Sequence, residues 1–449
     1  MMGLWDNIQR EIDEANSRAL KVLDVGREEV ERGLDIHTKS IVFDFGPPGG
    51  PLIYSDRLTE EIDKLHEAGR LRQTYARSRG PADRISRYYP PEKHLRFDSL
   101  PGYLKYMAVK EHAGDPEARE AYRRAWDISG VTVMSSGGGG STFESYDFYK
   151  YKMEALADFI VPVTRVDDVR RAKSEGKHGI LWNTQNPMPI FRGIDLDQDL
   201  DRLDMFHRLG LREVQLTYNL GNLLGSGCTE RHDFGLTSFG VKVLERLNRL
   251  GIVVNTSHCG HQTTLDTCES SKDPVVANHA GCKEIYDHAR CKTDEEIHAV
   301  AETGGYVGVV RVPHFIGWNA TLNDLLDHID HIVDLVGPDH AGIGTDQGWA
   351  SPIPLSIRDE LASIGREYIP ASEMTSGTPM PTRDNYAGWW SGFRPEHFPY
   401  TTDERNFGSL SWINWPYYTV GLVSRGYSDQ EIQKILGGNF LRVFERVAG

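Results

Sequence analysis

Cysteine is scarce in this 449-residue chain: Cys228, Cys259, Cys268, Cys282 and Cys291, an odd number without a CxxC pair. That usage argues against a disulfide framework and predicts a reducing, cytoplasmic setting. Long apolar runs are missing as well. No uninterrupted stretch approaches the roughly 18 residues that span a bilayer, so no membrane partner is expected. The opening "MMGLWDNIQREIDEANSR" carries acids early and has no apolar h-region, which predicts no signal peptide. Positive charge is also short, with 50 Lys and Arg against 65 Asp and Glu. The net charge of -15 makes nucleic acid an unsuitable partner.

What is present is enough apolar material, 39 % of residues, for a sizeable core. The length allows one large α/β domain with insertions, or two ordinary ones. Residues 4–34 read as an N-terminal helix, within a leading segment 1–39. Short β-branched runs then recur at 40–45, 130–135, 179–184, 213–218, 251–257, 274–279, 305–312 and 340–345, with amphipathic stretches between most of them. Gly251 is placed to cap one helix C-terminally. Thr293 with Glu296, and Ser428 with Glu431, form the capping boxes of two others. Eight strands alternating with helices predict a single-domain (β/α)8 barrel over 1–449, with a doubly wound open sheet as the runner-up. Two segments do not fit the repeat. Residues 47–129, after the first strand, are rich in Pro, Arg and Tyr. Residues 349–415, after the last, are rich in aromatics and Pro, and are expected to form a lid or a subunit contact in a homo-oligomer. The "GGGGS" at 137–141 reads as a native βα loop.

Barrel enzymes carry their chemistry at the C-terminal ends of strands. "VVNTSHCG" and "PVVANHAG" both end a buried run on histidine, at His258 and His279. Such a pair suits a transition metal, acid/base work, or two hydrogen-bonded core positions. Gln185, Tyr218 and Asp346 also fall at strand ends. Asp346 can act as an acid/base or as a helix N-cap. Arg290 can clamp a carboxylate or make a surface ion pair. Cys259 reads as a small apolar residue.

Several stretches together carry a resemblance. "LTYNLGNLLGSGCTERHDFGLTSFGVKVLERLNRLGIVVNTSHCG", "PVVANHAGCKEIYDHARCKTDEEI", "HIDHIVDLVGPDHAGIGTDQG" and "GYSDQEIQKILGGNFLRVFERV" resemble the membrane (renal) dipeptidase family of metallopeptidases. The likeness runs from about residue 160 to 346 and resumes over the last thirty or so residues. It implies a (β/α)8 barrel with a two-zinc site that cleaves dipeptides. The family's paired histidines match His258 and His279, its substrate-carboxylate arginine matches Arg290, and its acid/base aspartate matches Asp346. Three family positions are not kept. The H-x-D of the first strand reads "FDFGPPGG", the bridging glutamate is Gln185, and the histidine that polarises the scissile carbonyl is Tyr218.

These losses bear on the metal. Two dications a few Å apart need a bridging anion, and Gln185 is neutral. The expectation is therefore at most one zinc per chain, on His258 and His279, with a third ligand from Asp346, Asp44 or His261. Without a well-placed third ligand the site is metal-free. The leading reading is a cytoplasmic, dipeptidase-like hydrolase acting on a small amino-acid-derived carboxylate. Zinc activates water, Asp346 moves the proton, Tyr218 steadies the carbonyl oxygen, and Arg290, Gln185 and Asn219 bind substrate. The alternatives are a metal-independent lyase or isomerase using the same residues, and a non-catalytic binding relative.

Overall fold

The computed structural model describes residues 4–46, 50–67, 102–136, 142–191, 193, 195–318, 320–346, 348–349 and 408–449. Ten strands form one parallel sheet: β1 Phe43–Phe45, β2 Val133–Ser135, β3 Ile160–Val163, β4 His178–Thr184, β5 Leu211–Gln215, β6 Val253–Asn255, β7 Val275–Cys282, β8 Cys291–Lys292, β9 Val307–Val309 and β10 Ala341–Ile343. The hydrogen-bonded order is β1-β2-β4-β5-β6-β7-β9-β10. Each of the eight β-branched runs supplies one strand of that path. The backbone N–H of Asp346, just past β10, donates to the Phe45 carbonyl on β1 at 2.7 Å, so the two ends of the sheet meet. The result is a (β/α)8 barrel rather than an open sheet. β3 and β8 are additions outside the path, pairing with β4 and β7 respectively.

The N-terminal helix departs from expectation. It is two helices, Leu4–Leu23 and Arg27–Lys39. Asp24 adopts a left-handed φ of 50°, and the Gly26 N–H donates to the Glu29 carboxylate at 2.8 Å, which starts the second helix afresh. A left-handed residue followed by a new N-terminus stops a helix, whatever the apolar spacing on either side. The other local signals hold. Gly251 sits at φ 69° as a C-cap, and both capping boxes form, at Thr293–Glu296 and Ser428–Glu431. Within 47–129, the described parts include helices Asp56–Glu67, Gly102–Gly114 and Pro116–Ser129. The 137–141 loop and residues 350–407 of the aromatic segment lie outside the described residues. Among the described residues no helix is long and apolar enough to cross a membrane.

Alternation along the strands places the site. Residues two apart share a face of the sheet. Val133, Leu181, Val253 and Val276 belong to a buried cluster with Phe43 and with Phe440 and Phe444 of the C-terminal helix Asn439–Ala448. Two residues further along the same strands come Ser135, Asn183, Asn255 and Asn278, all buried. The face that is apolar near the strand starts turns polar one step towards the C-terminal mouth.

Candidate active site

Gln185 follows β4, Tyr218 and Asn219 follow β5, His258 follows β6, His279 lies within β7 and Asp346 follows β10. The barrel brings them to one mouth. Donor atoms of His258, His279 and Asp346 all lie within 4.8 Å of one another. The His279 Nε2 is 4.0 Å from Asp346 Oδ1. The two imidazoles are 5.0 Å apart between centroids. Tyr218 stacks on His258 at 4.4 Å, and Phe45 stacks on His279 at 4.0 Å.

The hydrogen bonds decide which nitrogen of each ring faces the centre. His258 Nδ1 is 2.7 Å from the Asn219 side-chain oxygen, and His279 Nδ1 is 2.8 Å from that of Asn278. An amide oxygen only accepts, so each Nδ1 carries the proton and each Nε2 keeps its lone pair. His258 Nε2 is buried and has no hydrogen-bond partner. A buried, unpartnered acceptor is costly unless something fills it. Two imidazole nitrogens and a carboxylate match the three-residue protein donor set of a catalytic zinc site. The residues present therefore fit one zinc ion. His258 and His279 are both held well below the usual histidine range, by burial first and then by the positive Arg290 guanidinium. Neutral rings are the form that ligates.

Asn219 was expected beside the substrate; it stands behind His258 as its orienting partner. Asn278 was not anticipated. Its signal was the amide immediately before the strand-end histidine in "ANHAG". Both Asn219 and Asp346 hold left-handed backbones, at φ 63° and 60°. Non-glycine residues pay for that conformation, and they are retained at sites that use it.

Gln185 lies between two of the donors. Its amide nitrogen is 3.3 Å from His279 Nε2 and 3.3 Å from Asp346 Oδ1. Arg290 is in the wall beneath the histidines and only 1 % exposed. It donates to the carbonyls of Ser257 and of His279, and it packs 5.4 Å over Phe315. The other suggested third ligands are engaged elsewhere. Asp44 accepts from the Thr345 N–H, the Thr345 hydroxyl and the Trp412 indole, each at 2.8 Å. His261 faces Glu295 and Glu296. Cys259 is buried, and burial pushes its thiol up. Among the described residues, His258, His279 and Asp346 are the one group of three such side chains close enough to share an ion.

Comparison with known proteins finds the barrel stretch similar to dipeptidases. Residues 135–357 match the family model described as membrane dipeptidase, peptidase family M19. The chain is 27 % identical over 267 residues to Dipeptidase 3 of Mus musculus, covering 57 % of this chain and 43 % of the mouse protein. It is 31 % identical over 172 residues to an uncharacterized dipeptidase of Schizosaccharomyces pombe, covering 36 % of this chain and 41 % of that one. It thus spans less than half the length of these curated relatives. Among solved structures, an amidohydrolase from Pseudomonas aeruginosa superposes with a TM-score of 0.57 at 23 % identity, over 92 % of this chain and 98 % of that one. A metallopeptidase titled dipeptidase AC, of family M19, gives 0.56 at 17 %, over 91 % and 99 %. Over the barrel stretch 135–357, where both strand-end histidines and the aspartate lie, the chain is similar to the membrane dipeptidase family, M19.

Proposed function

We propose that this chain is a dipeptidase-like hydrolase that works with a single zinc ion held by His258, His279 and Asp346. Its substrate is a dipeptide or a related small amide that bears a carboxylate. The observation that carries this reading is the buried His258 Nε2, which has no partner and faces the two other donors. When bound there, zinc supplies a Lewis acid and an activated water. The chain's own residues do the rest. Asp346 would help hold the ion beside His258 and His279, and it is the carboxylate placed to take and return the proton. Tyr218, stacked on His258, offers its hydroxyl to the carbonyl oxygen. Arg290 sets a positive charge behind the histidines, and a direct grip on a substrate carboxylate requires it to release the Ser257 or His279 carbonyl. Gln185 donates from the position where the family has its bridging anion, so no carboxylate there draws in a second dication.

One observation favours a second reading. The Gln185 amide already reaches both His279 Nε2 and Asp346 Oδ1, closing a small hydrogen-bonded set that can do acid/base chemistry by itself. Elemental analysis of protein purified without chelator, paired with hydrolysis of a dipeptide panel before and after chelation, separates the two. The hydrolase reading expects about one zinc per chain and activity lost to chelator and restored by zinc. Two zinc ions per chain, or turnover indifferent to chelator, overturns it.

A further inference from the structure

Inside the barrel, one step below the histidines, Glu213 on β5 is a buried carboxyl with no cation in its hydrogen-bond set. Its Oε1 accepts from the side-chain amides of Asn255 at 2.8 Å and Asn278 at 2.7 Å. Its Oε2 is 2.6 Å from the Ser135 hydroxyl, which is in turn 2.7 Å from the Asn183 amide nitrogen. Burial pushes the Glu213 carboxyl up, against the pull of these hydrogen bonds. A buried carboxyl without a countercharge is expensive to keep. Nothing in the mechanism above uses it.

The direction of the hydrogen bonds shows what it does. An asparagine amide can face either way, and its oxygen and nitrogen make opposite demands. Glu213 Oε1 offers only lone pairs, whether the carboxyl is ionised or carries its proton on Oε2. It therefore claims the Asn278 NH2. The Asn278 oxygen is then turned to His279 Nδ1, 2.8 Å away. The Asn255 amide reinforces this by also donating to the Asn278 oxygen at 2.7 Å. The Asn255 oxygen in turn holds the Ser257 hydroxyl at 2.7 Å, which receives the His279 backbone N–H at 3.1 Å. One acceptor in the barrel interior thereby orients two amides and sets the ring next to the site.

We infer that Glu213 is a positioning residue: acting through Asn278, it fixes His279 in the tautomer that carries its proton on Nδ1 and presents Nε2 to the substrate and metal side of the site. The inference rests on His279 being a ligand, as proposed above, but its main test does not need the metal. Metal-free protein labelled with 15N-histidine is read by NMR for the tautomer of His279, assigned by comparison with His279→Gln. The native chain is expected to show the Nδ1–H form. An Nε2–H form or an even mixture in the native chain overturns the proposal.

Two substitutions extend the test. Glu213→Gln keeps an acceptor at Oε1 and is expected to keep the tautomer. Glu213→Met, similar in length but without an acceptor, is expected to release the Asn278 amide and give a mixed His279 tautomer. Its zinc dissociation constant should rise by about tenfold, the lower end for outer-shell partners of a metal ligand. A folded Glu213→Met protein with an unchanged tautomer refutes the proposal. If that variant does not fold, the native-chain measurement still decides. If the native chain shows the Nδ1–H tautomer and the Glu213 dependence yet binds no metal, the positioning role stands and the zinc reading falls.

Discussion

His37 offers a test in which magnitude and sign both follow from the structure. It lies on the helix Arg27–Lys39, buried, with Nε2 2.9 Å from the Ser129 carbonyl and Nδ1 2.8 Å from the Thr419 hydroxyl. The carbonyl can only accept, so Nε2 carries the proton and Nδ1 accepts from Thr419. A second proton, on Nδ1, would charge a buried ring and would require the Thr419 hydroxyl to turn from donor to acceptor. Burial accordingly drives the group from 6.5 down to about 4. Below 6.5 the unfolded chain gains a proton that the folded chain does not take up until near 4. The stability due to this residue is therefore complete above 6.5 and declines as pH falls towards 4. From about pH 7.5 to about pH 5 the unfolded state gains roughly 1.5 pK units' worth, about 2 kcal/mol. His37→Gln can still donate to Ser129 and accept from Thr419, but it does not titrate. Urea denaturation of both proteins at the two pH values gives a difference in which other titrating groups cancel. At pH 7.5 the native chain is expected to be ahead by about 1 kcal/mol, the scale of one imperfectly replaced hydrogen bond. At pH 5 the gap should have moved by about 2 kcal/mol in favour of the variant. A gap that stays constant with pH refutes the reasoning, because His37 would then take up its proton equally in both states.

Other perturbations bear on the site. His258→Ala and His279→Ala should each abolish tight zinc binding, measured by competition with a chromogenic chelator, since one imidazole and a carboxylate are too few donors; zinc affinity within a few fold of native makes the pair structural. Asn219→Gly removes the partner of His258 Nδ1 while tolerating the left-handed backbone, so it should weaken zinc by about 10- to 100-fold with little change in melting temperature; unchanged affinity would show that His258 orients itself. Gly344→Ala would put a Cβ 1.8 Å from the Asn278 carbonyl, between β10 and β7; the strands must part, costing about 3 kcal/mol or more and displacing Asp346 two residues on, and a variant that melts and binds zinc like the native chain contradicts that packing.

Much of the architecture was legible without coordinates, because it rests on local physics. A β-branched run between capped amphipathic helices marks a buried strand wherever it occurs, and each of the eight runs became a barrel strand. Thr293 with Glu296, Ser428 with Glu431, and Gly251 satisfy helix ends through atoms a few residues apart, so their patterns can be read directly. His258, His279 and Asp346 were identifiable for the same reason: each ends a strand, and a barrel sends strand ends to one mouth. Tertiary structure alone decided the rest. Asp346 rather than Asp44 or His261 joins the histidines because Thr345 and Trp412 claim Asp44, while Glu295 and Glu296 claim His261. Arg290 turns its guanidinium onto two backbone carbonyls, which no side-chain pattern announces. Asn219 and Asn278 became the orienting partners of the two rings, and Glu213 the acceptor that turns Asn278. Glu213 and Asn278 are 65 residues apart. Periodicity reports which face of a strand is buried; which polar atoms meet there is set only when the strands close around a common axis.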